Sequence, residues 1–218
     1  MNAHCDVLVI GGGIGGCACA LSAADTGLDV VLLSKLPEIQ DGSNTSRAQG
    51  GIIYQGEGDS PDLLVKDIVE AGAGLVYRPA AELLARRGPE LVRDILIERL
   101  GVPFDRSSGG ELDITEEAAH SVPRIIHAED LTGRAIARDM AKAVLTHPNI
   151  RTLSRATAVD LLMLDRHSRD PLDVYCQPAC VGAYVLNQET GMVETMAAHQ
   201  TVLATGGLGQ IYVHTTNP

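Results

Sequence analysis

Six residues, Gly11-Gly12-Gly13-Ile14-Gly15-Gly16, lie between an apolar run, Cys5-Asp6-Val7-Leu8-Val9-Ile10, and an alanine-rich stretch, Cys17 to Thr26. This is G-x-G-x-x-G between a buried strand and a helix. Gly11 allows a tight turn, Gly13 lets a pyrophosphate approach the backbone, and Gly16 lets the helix pack closely on the strand. Glycine-rich turns are common in alanine-rich chains, so the flanking elements give the motif its meaning. After Gly27, Leu28 to Leu33 reads as a second buried strand. Strand, helix and strand form the βαβ unit that places a dinucleotide on the helix N-terminus.

The chain has 218 residues, 45% hydrophobic and 21% charged, in keeping with a folded protein rather than a disordered tail. Its net charge of -11, with no basic run, disfavours nucleic acid and anionic lipid as partners. The five cysteines, at positions 5, 17, 19, 176 and 180, lack the paired C-x-x-C spacing of a structural zinc site, so no metal is expected. They read as reduced, mostly buried thiols. No apolar run approaches the roughly 20 residues of a membrane helix. The first residues lack the charged and apolar regions of a signal peptide, and the expectation is a cytoplasmic protein.

Pro37 to Gly58 reads as a long functional loop. Helices are expected at Pro61 to Ala71, with Ser60 as N-cap, and at Pro79 to Arg87 and Pro89 to Leu100, each opened by its proline. Together they make a helical layer. Val102 to Val122 reads as irregular, Arg124 to His127 as extended, and Thr132-Gly133 as the start of a helix reaching about Leu145. Ile150 to Leu153 follows as a further parallel strand. Ala156 to Asp165, Cys180 to Asn187, Val193 to Ala198 and Thr201 to Ala204 read as short strands, with Gln188-Glu189-Thr190-Gly191 a turn and Arg166 to Pro178 a polar loop. That pattern is a β-meander grafted on a dinucleotide fold.

In a generic site an acid about 20 residues after the glycines accepts from the ribose hydroxyls. Ser34 and Lys35 stand there instead; a lysine cannot accept from a diol, whereas Ser34 can. The loop that follows, Ser43-Asn44-Thr45-Ser46-Arg47-Ala48-Gln49-Gly50-Gly51-Ile52, resembles the flavin-contacting loop of the succinate dehydrogenase and fumarate reductase flavoprotein family, where a lysine after the second strand is usual. The likeness extends through Ala204-Thr205-Gly206-Gly207 and from Tyr212 to Thr215-Thr216-Asn217-Pro218, and so covers the whole chain. It implies FAD as cofactor and an α/β fold: a Rossmann-like FAD-binding domain with a parallel sheet, a helical layer and a β-meander. Membrane-complex members carry a histidine joined covalently to FAD where this sequence has Asn44, which implies FAD held non-covalently by backbone N–H groups and hydroxyls.

Two further runs, Thr115-Glu116-Glu117-Ala118-Ala119-His120-Ser121 and Arg124-Ile125-Ile126-His127-Ala128-Glu129-Asp130-Leu131-Thr132-Gly133-Arg134, resemble the aspartate-oxidising branch of that family, the flavoenzymes of quinolinate and NAD biosynthesis. The branch usually has Gly-Gly where Ala118-Ala119 stand. The resemblance implies oxidation of L-aspartate to iminoaspartate, with O2 or fumarate reoxidising the flavin and quinolinate synthase as a pathway partner. Glu117 is then the substrate-binding residue, because L-aspartate differs from succinate by an ammonium that a carboxylate favours. Glu116 and Glu117 also read, with Asp113, as a solvated acidic stretch.

The resemblance places Gly11 to Gly16 on the pyrophosphate and Ser34 and Lys35 on the adenosine side. Ser43, Asn44, Thr45, Ser46, Ala48, Gln49, Gly50 and Gly51 wrap the pyrophosphate, ribityl chain and ring, whose flat approach excludes a Cβ at Gly50 and Gly51. Thr157 and Ala158 offer backbone to the adenine, and Ala204, Thr205 and Gly206 complete the cofactor set. Arg47 reads as a surface residue, His120 and His127 receive no catalytic role, and Asp130 and Thr132 read as caps of a helix beginning at Gly133. Relatives continue past the Thr-Thr-Asn-Pro run with a segment that completes the FAD site and a capping domain carrying the diacid-binding cations. Residues 1–218 are accordingly expected to be an incomplete FAD-binding domain, inactive alone. The competing readings are a soluble fumarate reductase or succinate dehydrogenase-like flavoprotein and a non-catalytic flavin-binding remnant.

Overall fold

The computed structural model describes residues 3–217. In chain order the elements are β1 (Ala3–Ile10), α1 (Ile14–Asp25), β2 (Val30–Leu33), α2 (Asn44–Arg47), β3 (Ile52–Ile53), α3 (Pro61–Ala71), α4 (Arg78–Leu91), β4 (Ile114–Thr115) and β5 (Ile125–Ile126). They continue with α5 (Thr132–Thr146), β6 (Ile150–Leu153), β7 (Ala156–Met163), α6 (Leu164–His167), β8 (Cys180–Asn187) and β9 (Val193–Leu203). The chain divides into two compact units, one running to Ser46 and again from Met140, the other Arg47–Asp139.

The first unit is built on a six-stranded sheet of order β6-β2-β1-β9-β8-β7. β6, β2, β1 and β9 run parallel, and β9, β8 and β7 form the antiparallel meander. Leu8, Val9 and all of β2 are buried, as expected of parallel strands covered on both faces. α1 buries Gly16, Cys17, Ala20, Leu21 and Ala24, a helical stripe of mostly small residues that brings its axis close to the sheet. A Cβ on Gly16 would lie 1.9 Å from the Gly11 carbonyl oxygen, so only glycine permits this approach. Gly11 has φ +118°, and a Cβ there would meet the Ala204 carbonyl oxygen at 2.3 Å.

Three expectations for this unit change. β2 starts at Val30, with Asp29 at its threshold: the Asp29 carbonyl accepts from Asp6 and Val7 N–H at 2.9 and 3.1 Å, while its N–H donates to Asp6 Oδ2 at 2.9 Å. The two runs expected at 193–198 and 201–204 are one strand, since pairing with β1 carries His199 and Gln200 through in extended form, Gln200 opposite Val7. The Ala156 to Asp165 run stops as a strand at Met163, and the following polar loop contains α6 and a 3-10 turn at Asp173–Tyr175.

In the second unit α3 opens as the sequence implies: the Ser60 hydroxyl accepts from Leu63 N–H at 3.2 Å, with Pro61 in the first turn. α3 and α4 meet through Leu64, Val65 and Ala85. The expected break before Pro89 is absent. α4 continues through Pro89, which lacks the amide hydrogen a helix interior uses, and the turns widen to π spacing over Val92–Arg99, where Leu100 N–H donates to Ile95 O at 3.0 Å. β3 and β4, inside stretches read as loop or irregular, pair antiparallel with β5, which lies in the stretch read as extended. Val102 and Phe104, in the stretch read as irregular and polar, are buried.

Thr132 is the first residue of α5, and its hydroxyl accepts from Ala128 N–H at 3.0 Å, so it bonds backward along the chain and caps no helix. Asp130 pairs with Ala128 in an isolated bridge. Only Cys5 and Cys17 are buried; Cys19 and Cys180 are half-buried and Cys176 is exposed, a correction to the expected mostly buried set. Burial pushes both the Cys5 and the Cys17 thiol up to about 11, with Asp29 adding to the shift at Cys5. Among the described residues no helix is long and apolar enough to cross a membrane.

The packing of α1 separates two neighbouring glycines. Gly16→Ala must push the helix off Gly11 and should cost about 1–3 kcal/mol. A Cβ on Gly15 meets nothing within 4 Å, so Gly15→Ala should be neutral or stabilise by up to about 1 kcal/mol. Urea unfolding of the two variants beside the parent chain checks the contrast.

Candidate functional site

In the first unit the N-terminus of α1 is open. Gly13 is extended and makes no side-chain cap, the first turn holds no acid, and Ile14 N–H donates to Thr45 Oγ1 at 3.1 Å. A Cβ on Gly13 would meet Thr45 Oγ1 at 3.7 Å and Ser43 Cβ at 3.8 Å. The partial positive charge of the helix end is therefore not neutralised by a carboxylate of its own first turn. Ser43 and Ser46 bind each other reciprocally: Ser46 N–H donates to Ser43 Oγ at 3.1 Å and Ser43 N–H to Ser46 Oγ at 3.2 Å. Asn44 Nδ2 donates to Asn217 Oδ1. Asn217 is held in turn by Gln210, whose Nε2 donates to its carbonyl at 2.7 Å. Pro218, the last residue of the motif, lies outside the described residues.

Gly11 to Gly16, Thr45 and Ala204 thus come together as the sequence implies, with Ala204 N–H on Ile10 O at 2.9 Å. Gly206 adopts φ +73° with open space around it. Ser34, expected to accept from the ribose, is engaged within the chain. It is buried, and its Oγ accepts from Leu36 N–H at 3.2 Å, closing its own turn. Lys35 is exposed, and Thr157 and Ala158 are half-buried at the start of β7, Ala158 packing on the core.

In the second unit Ala48, Gln49 and Gly50 are exposed, the Ala48 carbonyl accepting from Gly133 N–H at 3.1 Å. Glu117 Oε1 accepts from Gly51 N–H at 3.3 Å and lies 3.5 Å from His127 Nε2, which also meets Thr115 Oγ1 at 2.7 Å. The Glu117 side chain is 43% exposed, so it is a held carboxylate with a face open to solvent rather than part of a free acidic stretch. Gly51 is required by protein packing, because a Cβ would meet Ile125 Cγ2 at 2.2 Å and Ile126 O at 2.6 Å. Gly50 has no such crowding: its nearest neighbours are the Glu117 carboxylate oxygens at 3.9 Å. Ala119 takes φ +69°, the left-handed region that glycine enters without strain.

Beneath this turn lies a network that sequence reasoning missed. Arg124 has a fully buried side chain and forks onto both oxygens of Asp59, Nη2 to Oδ1 at 2.8 Å and Nε to Oδ2 at 3.0 Å. Its Nη1 meets Asp67 Oδ2 at 2.6 Å and His120 Nδ1 at 3.0 Å, and Asp67 also accepts from the Ser121 N–H and hydroxyl. A guanidinium only donates, so His120 Nδ1 is the acceptor. Burial alone would raise the Asp67 carboxyl, but the hydrogen bonds from Ser121 and Arg124 outweigh it and hold the group below its usual range. Burial likewise opposes the Arg124 charge and is outweighed by Asp59 and Asp67, which raise it.

Residues 6–218 match the sequence profile of the family described as FAD binding domain. The chain is 39% identical over 222 residues to the L-aspartate oxidase of Vibrio cholerae, covering 99% of this chain and 39% of that protein. It is 37% identical over 214 residues to the chloroplastic L-aspartate oxidase of Arabidopsis thaliana, covering 98% of this chain and 31% of that one. The chain therefore spans under half the length of these curated relatives. Among solved structures it resembles Mycobacterium smegmatis Sdh1 in complex with UQ1, with TM-score 0.86 and 25% identity over all of this chain and 36% of that one. It also resembles the open conformation of a flavocytochrome c3 fumarate reductase, with TM-score 0.78 and 26% identity over 95% of this chain and 34% of that one.

The buried network yields a stability prediction. Arg124→Met leaves two buried carboxylates without their cation and should cost about 3–5 kcal/mol in urea unfolding at pH 7. Because the native Asp67 carboxyl titrates below the 3.8 of an ordinary aspartate, its contribution is complete above that value and is lost as pH falls through the lower native one. Asp67→Asn should thus flatten the loss of stability below about pH 4, read from unfolding midpoints between neutral and acid pH.

Proposed function

The chain belongs to the FAD binding domain family, and from that membership we propose that it is the FAD-binding part of a flavoprotein that oxidises L-aspartate to iminoaspartate. Its residues fit the cofactor. Gly13 gives the α1 N-terminus no side-chain cap of its own, the first turn is free of acid, Ile14 N–H rests on the Thr45 hydroxyl, and Gly15 would have open space at Cβ. That is the cradle a pyrophosphate needs, anions being favoured at such an end. Gly11 to Gly16 and Thr45 would hold the pyrophosphate, with Ser43, Asn44, Ser46, Ala48, Gln49, Gly50 and Gly51 on the ring side and Ala204, Thr205 and Gly206 completing the set. We take residues 1–218 as one FAD-binding domain, a reading supported by a family profile that runs through both compact units.

Bound FAD supplies the two-electron oxidation; the protein supplies charge and orientation. The observation that carries the substrate is Glu117, a partly exposed carboxylate fixed from behind by Gly51 N–H and His127. A fixed carboxylate favours the ammonium of L-aspartate and repels a plain diacid, so selectivity comes from attraction and repulsion together. Relatives named L-aspartate oxidase at 36–39% identity support this choice. O2 or fumarate is the proposed acceptor, and quinolinate synthase the proposed pathway partner. The likeness to Sdh1 and to the fumarate reductase supports a second reading, a soluble enzyme of C4 dicarboxylates.

Two measurements test this. An amide is a poor nucleophile and the Asn44 side chain is already engaged by Asn217, so acid precipitation of the flavin-loaded protein should leave all FAD in the supernatant; flavin in the pellet would refute non-covalent binding. Titrating L-aspartate or succinate and following the flavin absorbance, Glu117→Gln should weaken L-aspartate about 10-fold or more, the worth of one charge-assisted hydrogen bond, and leave succinate unchanged or tighter. Equal effects on both ligands would favour the dicarboxylate reading.

A further inference from the structure

We infer that Gln188 is a positioning residue for the adenosine end of the cofactor, an inference that rests on the FAD reading above. In a dinucleotide fold the end of the second strand ordinarily carries an acid for the ribose hydroxyls. Here Ser34 is buried with its Oγ accepting from Leu36 N–H, and the Lys35 side chain can only donate. The side chain that reaches this edge comes from the turn after β8. Gln188 Nε2 donates to the Lys35 carbonyl oxygen at 2.9 Å and to Thr157 Oγ1 at 2.9 Å. A backbone carbonyl has no hydrogen to give, so the amide nitrogen must face it, and both of its hydrogens are used. The group left over, Oε1, is an acceptor.

The backbone around this amide is tied in the same way. Gln188 N–H donates to Arg155 O at 2.9 Å, Arg155 N–H donates to Leu36 O at 3.2 Å, and Ala156 N–H donates to Ser34 O at 2.9 Å. Arg155 itself takes φ +51°, which lets the tight turn between β6 and β7 meet the end of β2. Asn187 Oδ1 accepts from Glu189 N–H at 2.9 Å and Thr190 N–H at 3.1 Å, shaping the turn that carries Gln188. The segments that follow β2, β6 and β8 are thereby joined at one edge of the sheet. Gln188 is exposed at that edge, where a ligand can reach it. It fixes the spacing between Lys35 and Thr157, two of the residues assigned to the adenosine side.

FMN lacks the adenosine, so the brace should matter to FAD alone. FAD and FMN are titrated separately into the flavin-free chain and followed by flavin fluorescence. Gln188→Met removes the hydrogen bonds at similar length, and Gln188→Glu keeps the shape but offers Lys35 O no hydrogen at pH 7. Both should raise the Kd for FAD about 10-fold and leave that for FMN within about twofold. Thr157→Val, which removes one arm of the brace while keeping Gln188, should raise the FAD Kd about threefold with FMN again unmoved. An unchanged FAD Kd in Gln188→Met, an equal loss for FMN, or wild-type FAD binding by Gln188→Glu would each overturn the role. An FAD Kd left unchanged by all three substitutions rejects this inference alone; no FAD binding by the unsubstituted chain rejects the reading of these residues as a sufficient FAD site, and this inference with it.

Discussion

The first unit depends on a contact that leaves no room for a side chain. Gly16 lies against the Gly11 carbonyl and Gly11 against the Ala204 carbonyl, at distances where a Cβ would sit 1.9 and 2.3 Å from oxygen. β1, α1 and the end of β9 are drawn together by that one crowding. Once α1 is this close, most of its buried stripe is small, Cys17, Ala20 and Ala24 beside the one larger Leu21. Its N-terminus then opens at the ends of the parallel strands, where ligands of open α/β sheets collect. Packing and binding follow from the same absent atoms.

The second unit is organised by the opposite means, a large buried charge. Arg124 joins Asp59, Asp67 and His120, and through Asp67 it fixes Ser121. The backbone on either side is also held: Arg124 N–H donates to Thr115 O and Tyr54 N–H to Arg124 O. The segment carrying Glu117 is therefore anchored at both ends. Such an ion cluster contributes little net stability against an apolar replacement of the same shape, but its partial loss is costly. Its value lies in holding one arrangement of a loop that has little apolar burial of its own.

What the sequence made legible was local. The glycine spacing, the Ser60 cap, β6 and β8 each follow from neighbours a few residues apart. Arg124 binds partners 57 and 65 residues away, and Gln188 reaches Lys35 across 153. No periodicity or motif marks pairs so distant. Asn217 stood inside a recognised motif, yet its contact with Asn44 is a product of folding. Pro89 fails as a boundary for another reason: the local rule is sound, but α4 carries the proline inside its last turn and the chain passes straight on into the π turns from Val92. For Ser34, the residue type allowed an acceptor, and burial with a bond inside its own turn is a feature that residue type alone does not show.

Glu117 and Ala119 connect geometry to selectivity most closely. Ala119 at φ +69° carries a modest strain that glycine would not. The strain persists because Ser121, two residues on, is locked to Asp67, and His120 N–H donates to the Glu117 carbonyl at 3.2 Å. The turn is thus over-determined by the Arg124 cluster rather than by glycine freedom. A carboxylate on so constrained a turn, already oriented by Gly51 N–H and His127, gives up little conformational entropy when it meets an ammonium. Discrimination between an amino diacid and a plain one then rests on charge at a fixed place, which is why replacing glycine by alanine in this turn need not abolish it.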